Sequence, residues 1–110
     1  MDKVIKRKWV KALRSRKYKQ GLNQLKSLQL KSLEPGIQSL LETYCCLGVL
    51  CEVMKEKYLP NDAKPGNRVL RKAGLSEGDC YCLITLNDGG GGMTNNWKFY
   101  QIANWIEKNL

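Results

Sequence analysis

Three of the five cysteines in this 110-residue chain fall within eight residues, YCCLGVLC from Tyr44 to Cys51, and the other two are Cys80 and Cys82. Cysteines at that density can hold a metal, cycle through a disulfide or supply a thiolate nucleophile. A zinc site takes four convergent ligands, usually from paired CxxC knuckles. Here the spacings are Cys45-Cys46, Cys51 and Cys80-x-Cys82, and the chain has no histidine to complete a mixed set. A thiol nucleophile wants a neighbouring base, and without histidine most general acid–base schemes lose their usual participant. Cys45 is the best remaining nucleophile, through closeness to the basic segment. An odd number of cysteines, two of them adjacent, makes no sensible disulfide framework, which fits a reducing compartment. The expectation is buried structural thiols, with no metal, no cofactor and no catalytic set.

The second chemical feature is the loop NDGGGGMTNN, residues 87–96. Glycine-rich backbone leading into a helix can offer several N–H groups to a phosphate. It matches neither GxxxxGK[ST] nor a strand-linked GxGxxG, however, so a plain flexible connection explains it as well.

Charge is the strongest signal. Residues 1–19 carry nine basic side chains (Lys3, Lys6, Arg7, Lys8, Lys11, Arg14, Arg16, Lys17, Lys19) against Asp2, a local charge of +8, while the other 91 residues come to +1. That exceeds what solubility asks. Trp9 and Tyr18 interleave with the cations and can stack on bases.

These residues must be positioned by one modest domain, since 110 residues bury a single core. Hydrophobic content of 43% and charged content of 26% are those of a globular chain. The longest apolar run is too short for a bilayer, and the N-terminus lacks the apolar core of a signal peptide, so a soluble cytoplasmic protein is expected.

Asp2 is a plausible N-cap, and Ile5, Trp9 and Leu13, widened by Val10 and Ala12, predict an amphipathic helix over 3–16 with a positive outer face. Tyr18, Gln20 and Gly21 mark a break. A short strand is expected over 25–30, then a turn at Glu34-Pro35-Gly36. Ile37, Leu40, Leu41, Tyr44, Leu47, Gly48, Cys51 and Met54 recur at spacings of three and four, predicting a buried helix over about 37–57 in which Gly48 lets another backbone approach. Residues 59–67 read as a loop and 68–73 as a helical turn stopped by Gly74. CYCLITL, residues 80–86, reads as an inner strand or a covered edge strand. Phe99, Ile102, Ala103, Ile106 and Leu110, with Trp105 beside them, place a C-terminal helix over about 97–109. The expected fold is α+β: one small domain of three main helices with a minor sheet from 25–30 and 80–86. No internal repeat is visible.

The blocks KWVKALRS with KYKQG following, then YCCLGVLC, LND and IANWIE, resemble in order and spacing a family of small proteins, without an assigned activity, encoded by tailed bacteriophages and prophages. That pattern usually has glycine where Arg16 stands and a shorter connection after LND, where this chain carries Gly89 to Asn96. The resemblance implies a phage origin and a host bacterial cytoplasm as workplace, and brings no catalytic residue or cofactor.

The function expected is therefore non-enzymatic binding of a nucleotide-like polyanion, which in a phage setting would sequester a host immune nucleotide signal. The alternatives are a nucleic-acid-binding accessory protein, or an inhibitor docking on a host defence protein through its basic face. The candidate binding residues are Lys8, Lys11, Arg14, Arg16, Lys17 and Lys19 for charge, Tyr18 and Trp97 for stacking, and Asn95 and Asn96 for hydrogen bonding near the loop. No membrane partner is expected. Self-association is compatible with the sequence.

Overall fold

The computed structural model describes residues 1–34, 37–89 and 95–110, with the backbone alone over 29–34 and 37–40. The elements run α1 (Lys3–Arg14), β1 (Lys26–Glu34), β2 (Ile37–Tyr44), α2 (Cys46–Met54), α3 (Asn67–Ala73), α4 (Glu77–Asp88) and α5 (Phe99–Asn109). The architecture is a small α+β domain with five helices and a two-stranded antiparallel sheet among the described residues.

α1 starts where the sequence places it, because the Asp2 carboxylate accepts the Ile5 N–H at 2.8 Å. It buries Trp9, Val10 and Leu13 against α2 and α5. The Trp9 indole N–H donates to the Cys46 carbonyl at 2.8 Å, so the largest core side chain leaves no polar atom unpaired. The helix ends at Ser15, and Arg16 follows with φ 64°, the left-handed conformation that glycine usually supplies one residue past a helix end.

Residues 37–44, predicted as the first half of a helix, form β2 instead. They pair antiparallel with β1 from Lys26↔Tyr44 to Glu34↔Ile37. The Ile37, Leu40, Leu41, Tyr44 stripe satisfied a helical period, but a connection of only two residues after β1 favours a hairpin. The expected turn at 35–36 lies outside the described residues. The hairpin is anchored at its base. Leu25 and Lys26 donate to the Asp62 and Pro60 carbonyls at 2.9 and 3.0 Å, and Tyr44 exchanges backbone bonds with Lys19 and Gly21 at 2.8 and 2.7 Å.

The second half of the predicted helix is real and shorter than expected. α2 begins at Cys46 because Cys45 caps it, its sulfur accepting the Gly48 N–H at 3.4 Å, and because the distant Asn87 side chain accepts the Cys46 N–H at 3.1 Å. It stops after Met54 at Lys55, which adopts φ 56°. From Cys46 to Cys51 every residue is buried. Gly48 faces the Leu25 backbone so closely that a β-carbon there would sit 1.9 Å from the Leu25 carbonyl oxygen.

Residues 80–86 are also corrected: they belong to α4, not to a strand, so the sheet is β1 with β2. Ser76 and Asp79 form a capping box, with Asp79 N–H to Ser76 Oγ at 3.0 Å and Ser76 N–H to the Asp79 carboxylate at 3.2 Å. Cys80, Leu83 and Asn87 then face inward at helical spacing, while Tyr81 is 73% exposed. The α4 helix takes in Asn87 and Asp88, which the sequence reading gave to the loop, and closes at Gly89 with φ 81°. Residues 90–94 of that loop lie outside the described residues.

α5 packs along α1 through Phe99, Ile102, Ala103 and Ile106. Gln20 joins the two ends of the preceding connection: its amide donates to the Trp97 carbonyl at 2.7 Å and to Asn87 Oδ1 at 3.2 Å, and its oxygen accepts the Phe99 N–H at 3.1 Å.

Candidate functional site

The cysteines form part of the interior. Cys45, Cys46, Cys51 and Cys80 are buried and only Cys82 is exposed. Desolvation pushes the thiols up, Cys45 to about 11 and Cys51 to about 12, with Cys46 and Cys80 raised in the same sense. At neutral pH these four are therefore protonated, as sulfur filling a core should be. Among the described residues, no three cysteine, aspartate or glutamate side chains converge as metal ligands would.

The basic segment is organised differently. On α1, Lys3, Lys6, Arg7, Lys11 and Arg14 share one arc and line an open groove of about 740 Å³, floored by Val10 and bordered by Glu107 of α5. Among the described residues, Arg14 is the one cation of the first nineteen residues that has a carboxylate partner: its guanidinium pairs with Glu107 and donates to Asn104 Oδ1 at 2.7 Å. Asp2, the segment's own acid, is occupied as a helix cap.

This arrangement works against helix stability. Lys3–Lys6, Lys3–Arg7, Arg7–Lys11, Lys8–Lys11 and Lys11–Arg14 are like-charge neighbours one turn apart, each costing about 0.2–0.5 kcal/mol. Lys3 also stands at the positive end of the helix dipole. The charge is thus concentrated on one open face rather than balanced by the protein.

Past α1 the chain folds over the start of α5 and makes a second hollow of about 590 Å³, which shares Arg14 with the groove as a lining residue. Arg16, Tyr18 and Lys19 line it from one side, and Phe99, Tyr100 and Asn104 from the other. The Tyr18 ring packs edge-on to buried Tyr44 with centroids 5.1 Å apart, which fixes its position, and the Lys17 ammonium lies 5.4 Å from its centroid. Tyr100, by contrast, is 60% exposed. Holding a non-glycine residue such as Arg16 in the left-handed region costs about 1–2 kcal/mol.

Of the residues predicted from sequence, Arg14, Arg16, Tyr18 and Lys19 meet around this hollow, Lys17 sits against Tyr18, and Lys11 lies in the adjoining groove. Lys8 does not join them. It lies on the opposite flank of α1, with Lys55, Lys72 and Glu56. Trp97 lines a neighbouring depression with Gln101, Trp105 and Lys108. Asn95 is exposed, and the Asn96 amide reaches back to the Trp97 carbonyl at 3.5 Å. The sequence reading missed Tyr100, Asn104 and Glu107. Their signal was present, since Tyr100 falls off the Phe99–Ile102–Ala103–Ile106 stripe and must face outward.

Fold and surface together define a class: a small α+β domain whose N-terminal helix presents an open cationic groove beside an aromatic hollow. Residues 1–72, spanning α1, the hairpin, α2 and nearly all of α3, match the family model Domain of unknown function (DUF8296), and the chain belongs to that family. No curated protein and no solved structure matches it. Among the described residues, no helix is long and apolar enough to cross a membrane.

Proposed function

We propose that this protein is a non-enzymatic binder of a phosphate-bearing, nucleotide-type polyanion, held along α1. The observation that carries the reading is the run of Lys3, Lys6, Arg7 and Lys11 on one groove without carboxylate partners among the described residues. An anion laid there relieves repulsion that the fold itself leaves uncompensated. The groove is open along a helix about 18 Å long. That form favours a nucleic-acid backbone over a small ligand, which proteins usually enclose.

A second reading, capture of a small nucleotide, is favoured by the hollow with its two tyrosines, Tyr18 and Tyr100, beside Arg16 and Lys19. In the phage setting implied by the sequence resemblance, this form of the protein would withdraw a nucleotide signal from the host.

Fluorescence anisotropy with a labelled oligonucleotide at several salt concentrations tests the main reading. Four phosphate contacts give a slope of log K against log salt of about −3 for a single strand. Changing Lys6, Arg7 and Lys11 together to Gln should flatten it by about two units, while the melting temperature holds or rises. Affinity and slope identical to the parent protein would refute the assignment.

A further inference from the structure

We infer that the site selects single-stranded nucleic acid over duplex, with phosphates on α1 and exposed bases on α5 at Tyr100; the inference rests on the polyanion reading above. Arg14 lines both the cationic groove and the hollow, so a strand whose backbone follows Lys6, Arg7 and Lys11 is directed toward the α5 surface at Arg14. What it meets is chemically distinct from the groove. Tyr100 offers a ring that is 60% exposed, and no aromatic partner covers it among the described residues. Asn104, one turn further on, has its Oδ1 taken by Arg14 and can offer its amide N–H groups to a base edge. Tyr18, backed by Tyr44 at 5.1 Å, forms a rigid opposite wall.

An aromatic ring beside a cation track is how proteins take up single strands, because every base has a face to stack, whereas a duplex keeps its bases inside. The backbone supplies a second, independent observation. Arg16 holds φ 64° at the rim of this hollow, a conformation in which glycine would be unstrained. The strained position keeps a cationic residue in the lining of the hollow.

The experiment compares a single strand of about 12 nucleotides with the duplex of the same sequence, at one salt concentration, using the full chain. The parent protein is expected to bind the single strand at least about ten-fold more tightly. Tyr100→Ala should weaken single-strand binding about ten-fold, leave the duplex affinity unchanged and leave the melting temperature within error. Arg16→Gly should weaken single-strand binding without lowering the melting temperature, a pairing of effects that a purely structural arginine would not give. Equal affinities for strand and duplex, with Tyr100→Ala indistinguishable from the parent, overturn the inference while the polyanion reading stands. Absence of binding to either overturns both the inference and the nucleic-acid form of the polyanion reading.

Discussion

Substituting Gly48 by alanine places one methyl carbon into the tightest backbone crossing of the molecule. Its ideal position is 1.9 Å from the Leu25 carbonyl oxygen, 2.8 Å from that carbonyl carbon and 3.2 Å from the Leu25 Cα. Contacts under 3.0 Å are not tolerated, so α2 and the approach to β1 must part by about 1 Å. Neither side can move alone. The Leu25 oxygen accepts the Cys45 N–H at 3.3 Å, the Leu25 N–H is held by the Asp62 carbonyl at 2.9 Å, and α2 is buried from Cys46 to Cys51. Overpacking of this kind costs about 1–3 kcal/mol, and weakening the Cys45–Leu25 bond adds about 1 kcal/mol. Helix propensity returns about 1 kcal/mol. The net loss of about 1–3 kcal/mol corresponds to a fall of about 5–20 °C in melting temperature for a domain of this size.

Gly78 is the internal control. It lies in α4, where a β-carbon would meet only Ser76 Oγ at 3.6 Å. Gly78→Ala should therefore stabilise the protein by up to about 1 kcal/mol. Thermal unfolding followed by circular dichroism reads both variants. If Gly48→Ala melts at or above the parent temperature, the close approach of α2 to Leu25 is wrong.

Other expectations follow from the charge and thiol environments. Glu107→Gln releases Arg14 from its carboxylate. It should raise oligonucleotide affinity about three- to ten-fold and steepen the salt slope by about 0.7, while the exposed pair costs less than about 1 kcal/mol of stability; unaltered affinity would show that Arg14 does not face the ligand. The thiol pKa values are raised by folding, so the native state holds protons that the unfolded chain gives up. Stability is then flat below the ordinary thiol value of 9.0 and falls as pH rises toward the folded values of about 11 for Cys45 and about 12 for Cys51. Urea midpoints measured from pH 7 to about 10.5 check this, and Cys51→Ala should lessen the fall. A midpoint that does not decline above pH 9.0 would contradict the burial of these thiols.

The sequence was readable where local and tertiary preferences agree. α1 follows from Asp2 and the Ile5–Trp9–Leu13 stripe, α5 from Phe99 to Ile106, and the stop of α3 from Gly74. It misled where a distant partner decides. Residues 37–44 satisfy helical spacing, yet the Cys46 N–H finds its acceptor in Asn87, forty-one residues away, and the helix begins there. For 80–86 the β-forming Tyr81, Ile84 and Thr85 outweighed a capping signal, Ser76 with Asp79, that stood in plain view. The candidate site divides the same way. Helical angle gathers Lys11 with Arg14 and would also have set Lys8 apart, but the sequence reading grouped all three by charge, and the structure puts Lys8 on the other flank. The α5 side of the hollow needs the packing of α5 on α1, which no local pattern encodes.

The clasp made by Gln20 has an engineering consequence. Because its one side chain fixes the Trp97 carbonyl, the Phe99 N–H and Asn87, and the Trp97 N–H is bonded to the Leu86 carbonyl at 2.8 Å, both margins of the α4–α5 link are tethered independently of what joins them. A peptide tag or a reporter domain spliced between Gly89 and Asn95 would then ride on the protein without disturbing its geometry, a ready attachment point for tracking it in cells.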